Sequence, residues 1–70
     1  MKIIVKDPDV LRTMLIEKGY SQREFSRLTG LSENYFNQII NHKKSPSPAV
    51  AKKISNQLGL EFQDVFLITK

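Results

Sequence analysis

The 70-residue chain contains no cysteine. Disulfides and thiolate metal sites are therefore excluded, and with a single histidine a metal centre has almost no ligands to draw on. No apolar run approaches the ~20 residues that a membrane span needs. The opening MKIIVKD has too short an apolar core for a secretory signal, so the cytoplasm is the expected compartment. There is no paired-carboxylate arrangement, no nucleophile beside a base and no glycine-rich phosphate loop, so enzyme activity and a cofactor are not expected. Internal repeats, linkers and low-complexity tracts are also missing, which points to one domain over residues 1–70. A chain this short buries a modest core. Without staples it must rely on efficient helix packing or on oligomerisation.

Acidic residues are the scarcer charge. Seven Asp plus Glu face eleven Lys plus Arg, for a formal net charge of +4. That balance favours an anionic partner such as nucleic acid or a membrane surface, though a merely soluble basic protein has it too.

Helix start and stop signals divide the chain. Asp7-Pro8 reads as an N-cap followed by proline at the first helical position. Val10, Leu11, Met14 and Leu15 follow at helical spacing, and Gly19 ends the run. SQRE, Ser21 to Glu24, has capping-box spacing and opens a second helix that stops at Gly30. Ser32 caps a third, SENYFNQIINH. After KKSPSP, the pair Ser47-Pro48 starts a fourth that runs to Gly59, and EFQDVF predicts a fifth of about two turns. The expected fold is all-α with five short helices. Ile3–Val5 and Leu67–Thr69 stand apart as β-prone runs. They could pair antiparallel with each other, pair between chains, or fray; some strand pairing is favoured.

At ~100° per residue the third helix splits into two faces. Phe36, Ile39 and Ile40 share one side, while Asn34, Gln38 and Asn41 lie opposite, with Tyr35 and Asn37 on the flanks. A solvated face is usually built from Lys and Glu. An amide offers a donor and an acceptor together, and Asn or Gln can bond adenine N6 and N7 at once. The stripe fits a DNA reader or an ordinary polar face. Its setting after a helix and a tight glycine turn, with lysines following, describes a helix-turn-helix over about residues 21–41, with a recognition helix at about 32–41.

The run SQREFSRLTGLSENYFNQIINHKKSPSPAVAKKISNQLGL resembles the helix-turn-helix family of phage repressors and Cro proteins. The anchors are Ser21-Gln22, small Ser26, the turn Gly30-Leu31-Ser32, apolar Phe36 and Ile39, Lys43-Lys44, Pro46-Ser47 and the KKI...LGL of the fourth helix. The resemblance implies a five-helix lambda-repressor-like domain with its third helix in the major groove. It implies a transcriptional regulator, repressor-like, acting as a homodimer on a two-fold symmetric operator in double-stranded DNA. By matching position, Gln22 would bind phosphate beside a helix N-terminus, Glu33, Asn34 and Gln38 would reach base edges, and Asn41, Lys43 and Lys44 would hold the backbone. Tyr35 is a further candidate for base contact, or rests on the rim of the core. Arg23 approaches the backbone or is merely solvated. Glu33 accepts from cytosine N4 or only complements the helix dipole. An antitoxin with this fold would also bind a protein partner, through the apolar tail Phe62, Val65, Phe66, Leu67 and Ile68.

Two departures carry their own expectations. The family often has arginine and glutamate, as an ion pair, at the positions of Leu15 and Ile40. Replacing both partners with aliphatic groups is tolerable where replacing one is not, so Leu15 and Ile40 are expected to touch. His42 stands where the family has glycine. A strained or slightly altered turn is expected there, with a phosphate-facing imidazole as the alternative.

Overall fold

Side chains set where the helices begin. The computed structural model describes residues 2–70. Asp7 Oδ1 accepts from the backbone N–H of Asp9 at 3.0 Å and of Val10 at 3.3 Å. Pro8 then opens α1, Pro8–Glu17, at a position whose missing N–H costs nothing. Ser21 Oγ accepts from Glu24 N at 3.0 Å and starts α2, Gln22–Leu28. Ser32 does the same for Tyr35 N at 3.1 Å and starts α3, Glu33–Ile40. Ser47 caps Val50 N at 3.3 Å, and α4 runs Pro48–Leu58.

One detail of these caps differs from expectation. The return bond of a capping box would run from the Ser21 backbone N–H to the Glu24 carboxylate. Instead the Ser21 hydroxyl donates to Glu24 Oε1 at 3.3 Å. Glu24 can accept from either group, and the hydroxyl is the nearer choice once it is already held by the Glu24 amide.

All four of these helices stop in the same way. The residue after a left-handed position donates its N–H to a carbonyl five residues back, the six-to-one bond of a Schellman motif. The pairs are Tyr20 to Leu15 at 2.9 Å, Leu31 to Ser26 at 2.8 Å, Lys43 to Gln38 at 2.8 Å and Leu60 to Ser55 at 3.0 Å. The motif demands a left-handed residue just before the donor. Gly30 supplies it with φ of 76° in the turn between α2 and α3, and His42 supplies it with φ of 63° after α3.

The terminal runs form strands. β1, Lys2–Val5, pairs antiparallel with β2, Phe66–Thr69, in the register Lys2↔Thr69 through Val5↔Phe66. This shortens the fifth helix. α5 is only Phe62–Val65, one turn rather than two, because Phe66 is extended at φ −124°, ψ 156°. The Phe66 N–H still closes the last helical turn onto the Phe62 carbonyl, the Lys6 N–H donates to the Val65 carbonyl at 2.8 Å, and Phe66 lies opposite Val5 with its side chain 1% exposed.

A single buried cluster joins the elements. It contains Val5, Leu11, Leu15, Phe25, Phe36, Ile39, Ile40, Ala51, Ile54, Leu58, Val65 and Phe66. Phe25 of α2 and Phe36 of α3 meet with ring centroids 5.2 Å apart, an offset geometry favoured by aromatic quadrupoles. Leu15 and Ile40 are 3% and 0% exposed in this same cluster, so both of these aliphatic residues lie in the apolar interior. Ser26 is buried, and its hydroxyl donates to the Gln22 carbonyl at 2.7 Å, leaving no orphaned donor.

Candidate nucleic-acid interface

Helix α3 turns its apolar side inward with Phe36, Ile39 and Ile40. Glu33, Asn34, Asn37 and Asn41 on its other side are exposed, and Gln38 is half-buried. The Schellman turn at Gly30 brings the start of α2 beside this face, so that Gln22, Glu33, Asn34 and Asn37 line one shallow open depression. Two of the expected base-contacting residues and one phosphate-contacting residue thus come together. Tyr35 is half-buried and packs against the core, on the rim as one of its two readings had it. Arg23 is exposed and lines a neighbouring depression with Ser26, Arg27, Leu31 and Glu33, so Glu33 borders both.

Asn41 caps α3, and Lys43 and Lys44 follow it, all exposed. Both lysine backbone amides donate to the Gln38 carbonyl, at 2.8 Å for Lys43 and 3.2 Å for Lys44. The loop that carries the two cations is therefore tied to the last turn of the helix that carries the amides. Between them stands His42. Its Nε2 lies 2.8 Å from the Val5 carbonyl oxygen, and a carbonyl can only accept, so Nε2 carries the proton and donates. The imidazole thus fastens the turn to β1. This supports the altered-turn expectation and engages Nε2 within the protein.

The structure also shows what sequence reasoning missed. Asn37, expected only as a flank residue of the third helix, also joins elements through its side chain. Its Oδ1 accepts from Gln22 Nε2 and from Asn41 Nδ2, each at 3.2 Å. The Asn37–Asn41 separation of four positions was a visible signal for part of this. Arg12, on α1, donates from Nη2 to Asn41 Oδ1 at 2.8 Å across 29 residues of sequence, and no spacing rule reaches that far.

Among the described residues no helix is long and apolar enough to cross a membrane. Residues 11–65 match the helix-turn-helix family. An uncharacterized HTH-type transcriptional regulator of Bacillus subtilis (strain 168), YqaF, is 34% identical over 64 residues, covering 86% of this chain and 84% of the relative. Two solved structures share the fold. The clp gene regulator ClgR from Corynebacterium glutamicum superposes with a TM-score of 0.71 at 23% identity, covering 81% of this chain but only 61% of its own. The restriction-modification controller protein C.AhdI from Aeromonas hydrophila gives a TM-score of 0.71 at 24% identity, over 81% of this chain and 86% of its own. On the family match and this relative, the chain belongs to the Cro/C1-type helix-turn-helix family of DNA-binding transcriptional regulators.

Proposed function

We propose that this chain is a sequence-specific regulator that occupies an operator in double-stranded DNA, as a homodimer with one copy on each half-site. The observation that carries the reading is the shared depression lined by Gln22, Glu33, Asn34 and Asn37 at the junction of α2 and α3. It sets a row of amides, on a helix narrow enough for the major groove, directly beside a candidate phosphate contact.

In this reading Asn34 and Gln38 read base edges, with Glu33 and Tyr35 bordering the same groove. Gln22, Arg23, Asn41, Lys43 and Lys44 hold the sugar-phosphate backbone. Affinity comes mainly from the cations and backbone-facing donors and falls as salt rises, whereas specificity comes from the amides. Occupancy would block polymerase or a competing regulator, in the cytoplasm where the DNA is.

Selection from a randomised duplex pool at near-physiological salt tests this. Enrichment of a two-fold symmetric motif, with half-sites about one helical turn apart, is the expected result. Weak, salt-sensitive binding with no motif would sink the operator reading and shift attention to a protein partner of the antitoxin kind.

A further inference from the structure

Arg12 lies on α1, outside the helix-turn-helix. Its Nη2 donates to Asn41 Oδ1 at 2.8 Å. A guanidinium has donors only, so the Asn41 atom that faces it must be the carbonyl oxygen. The Asn41 NH2 is thereby turned the other way and donates to Asn37 Oδ1 at 3.2 Å. That oxygen also accepts from Gln22 Nε2 at 3.2 Å. Each orientation follows from the one before it. A relay runs from α1 through α3 to α2, and its sense is set by the one group in it that cannot accept.

The result is a bias in what the surface displays. Three amides could in principle show either oxygen or nitrogen to a ligand, since the two ends are nearly the same size. Here the carbonyls of Asn41 and Asn37 accept from neighbouring side chains, with one bond to Asn41 Oδ1 and two to Asn37 Oδ1. The Asn37 NH2, on an exposed side chain, is left facing outward. A phosphate accepts hydrogen bonds and donates none, so an edge that shows N–H groups suits it and an edge that shows C=O groups repels it. Arg12 is itself steadied by Asp9, 3.4 Å from Nη1, although that pair is solvent-exposed and contributes little.

We propose that Arg12 is a positioning residue: through Asn41 it fixes the amide of Asn37 so that the edge between α2 and α3 presents the Asn37 N–H donors to the DNA backbone. This rests on the reading of that edge as the DNA-facing surface.

The test uses the full chain in two settings. In the free, nitrogen-15-labelled protein, Arg12→Gln removes the obligatory donor. The side-chain NH2 signals of Asn37 and Asn41 are expected to shift and to exchange faster with water. Arg12→Lys keeps a donor-only group and is expected to hold them near wild type. In titrations with duplex DNA of arbitrary sequence, Arg12→Gln is expected to weaken binding about tenfold, the scale of one charge-assisted hydrogen bond. Arg12→Lys should recover it to within about threefold. Asn37→Leu interrupts the relay without changing charge, so it should weaken binding by a similar factor while the salt slope stays constant. Unchanged amide signals in Arg12→Gln, with a salt slope lower by about one, would make Arg12 a direct phosphate contact and overturn the relay. Wild-type affinity in Asn37→Leu would overturn it as well. If the wild-type chain fails to bind duplex DNA at all, the functional reading falls and takes the purpose of the relay with it; the spectra of the free protein judge the orientation separately.

Discussion

His42 makes a local compromise. A side chain at φ 63° carries strain that glycine would not, on the order of 1–2 kcal/mol for an L-residue in the left-handed region. The bond from Nε2 to the Val5 carbonyl, 2.8 Å, offsets about 0.5–1.5 kcal/mol of it. Removing the bond while keeping the strain is therefore worse than removing both. His42→Ala is expected to be less stable than His42→Gly by about 1 kcal/mol in urea denaturation, with His42→Gly close to wild type. Equal stabilities would mean that the turn carries no strain. Asn34 and Lys43 separate the two jobs of the DNA-facing surface. Asn34→Ala should cost about 1–3 kcal/mol on the selected motif and little on other sequences. Lys43→Ala should weaken all sequences alike and lower the salt slope by about one. If both variants lose only non-specific binding, the division between reader and clamp is wrong.

At the scale of elements, the relation of α1 to α3 can be tested through Leu15 and Ile40, the two buried aliphatic residues expected to touch. Leu15→Arg alone leaves a cation among apolar side chains and should cost about 3–5 kcal/mol, as should Ile40→Glu. If the two side chains touch, Leu15→Arg with Ile40→Glu restores a partner and costs much less than the sum. The coupling in this double-mutant cycle is expected to exceed about 1 kcal/mol; simple additivity would mean that they are apart. Element starts and stops were legible in the sequence because each rests on a local group: Asp7 and Ser21, Ser32 and Ser47 as caps, and Gly30 as a left-handed turn. The third helix declared its two faces for the same reason. Phe66 was not legible. EFQDVF reads as helix on its own, and only pairing with Val5, 61 residues away in sequence, draws its last residue into a strand. The roles of Arg12 and Asn37 were hidden likewise, since hydrogen bonds across elements have no period. The depression that joins Gln22 to Glu33 and Asn34 was legible only through resemblance, because nothing in local propensity sets the angle between α2 and α3.

For the molecule as a whole, the longest dimension is 33 Å, and it carries one α3 of 8 residues. Half-sites of a two-fold operator lie about 34 Å apart, so one copy cannot serve both. The tail expected to be sticky is partly spent within the chain. Val65 and Phe66 are buried, and Phe62 is half-buried with its ring 5.5 Å from that of Phe66. Leu67 and Ile68 remain 42% and 59% exposed, and Ile16 on α1 is 75% exposed. With Val10 at 47% and Leu28 at 56%, these are the large aliphatic groups available for contact between copies among the described residues. Ile68→Glu should change monomer stability by no more than about 0.5 kcal/mol, as befits a mostly exposed site. If β2 lies in the dimer interface, the same change weakens self-association about tenfold or more in sedimentation equilibrium. Unaltered association would move the interface elsewhere, and a wild-type chain that stays monomeric at every concentration would confine dimerisation to the DNA.

The pairing of β1 with β2 sets Lys2 opposite Thr69, so the path of the backbone comes back to where it started. A few flexible residues would close it into a ring. On such a ring α1 is first and α5 last only by convention, and the chain can be reopened at another exposed turn. A cut at Gly59, on the exposed turn after α4, would leave β1 and β2 joined as a hairpin and keep α2, α3 and the lysine loop in one unbroken stretch. The DNA-facing surface and the closure of the backbone are separable parts of this molecule, and a circular permutant would keep the first while moving the second.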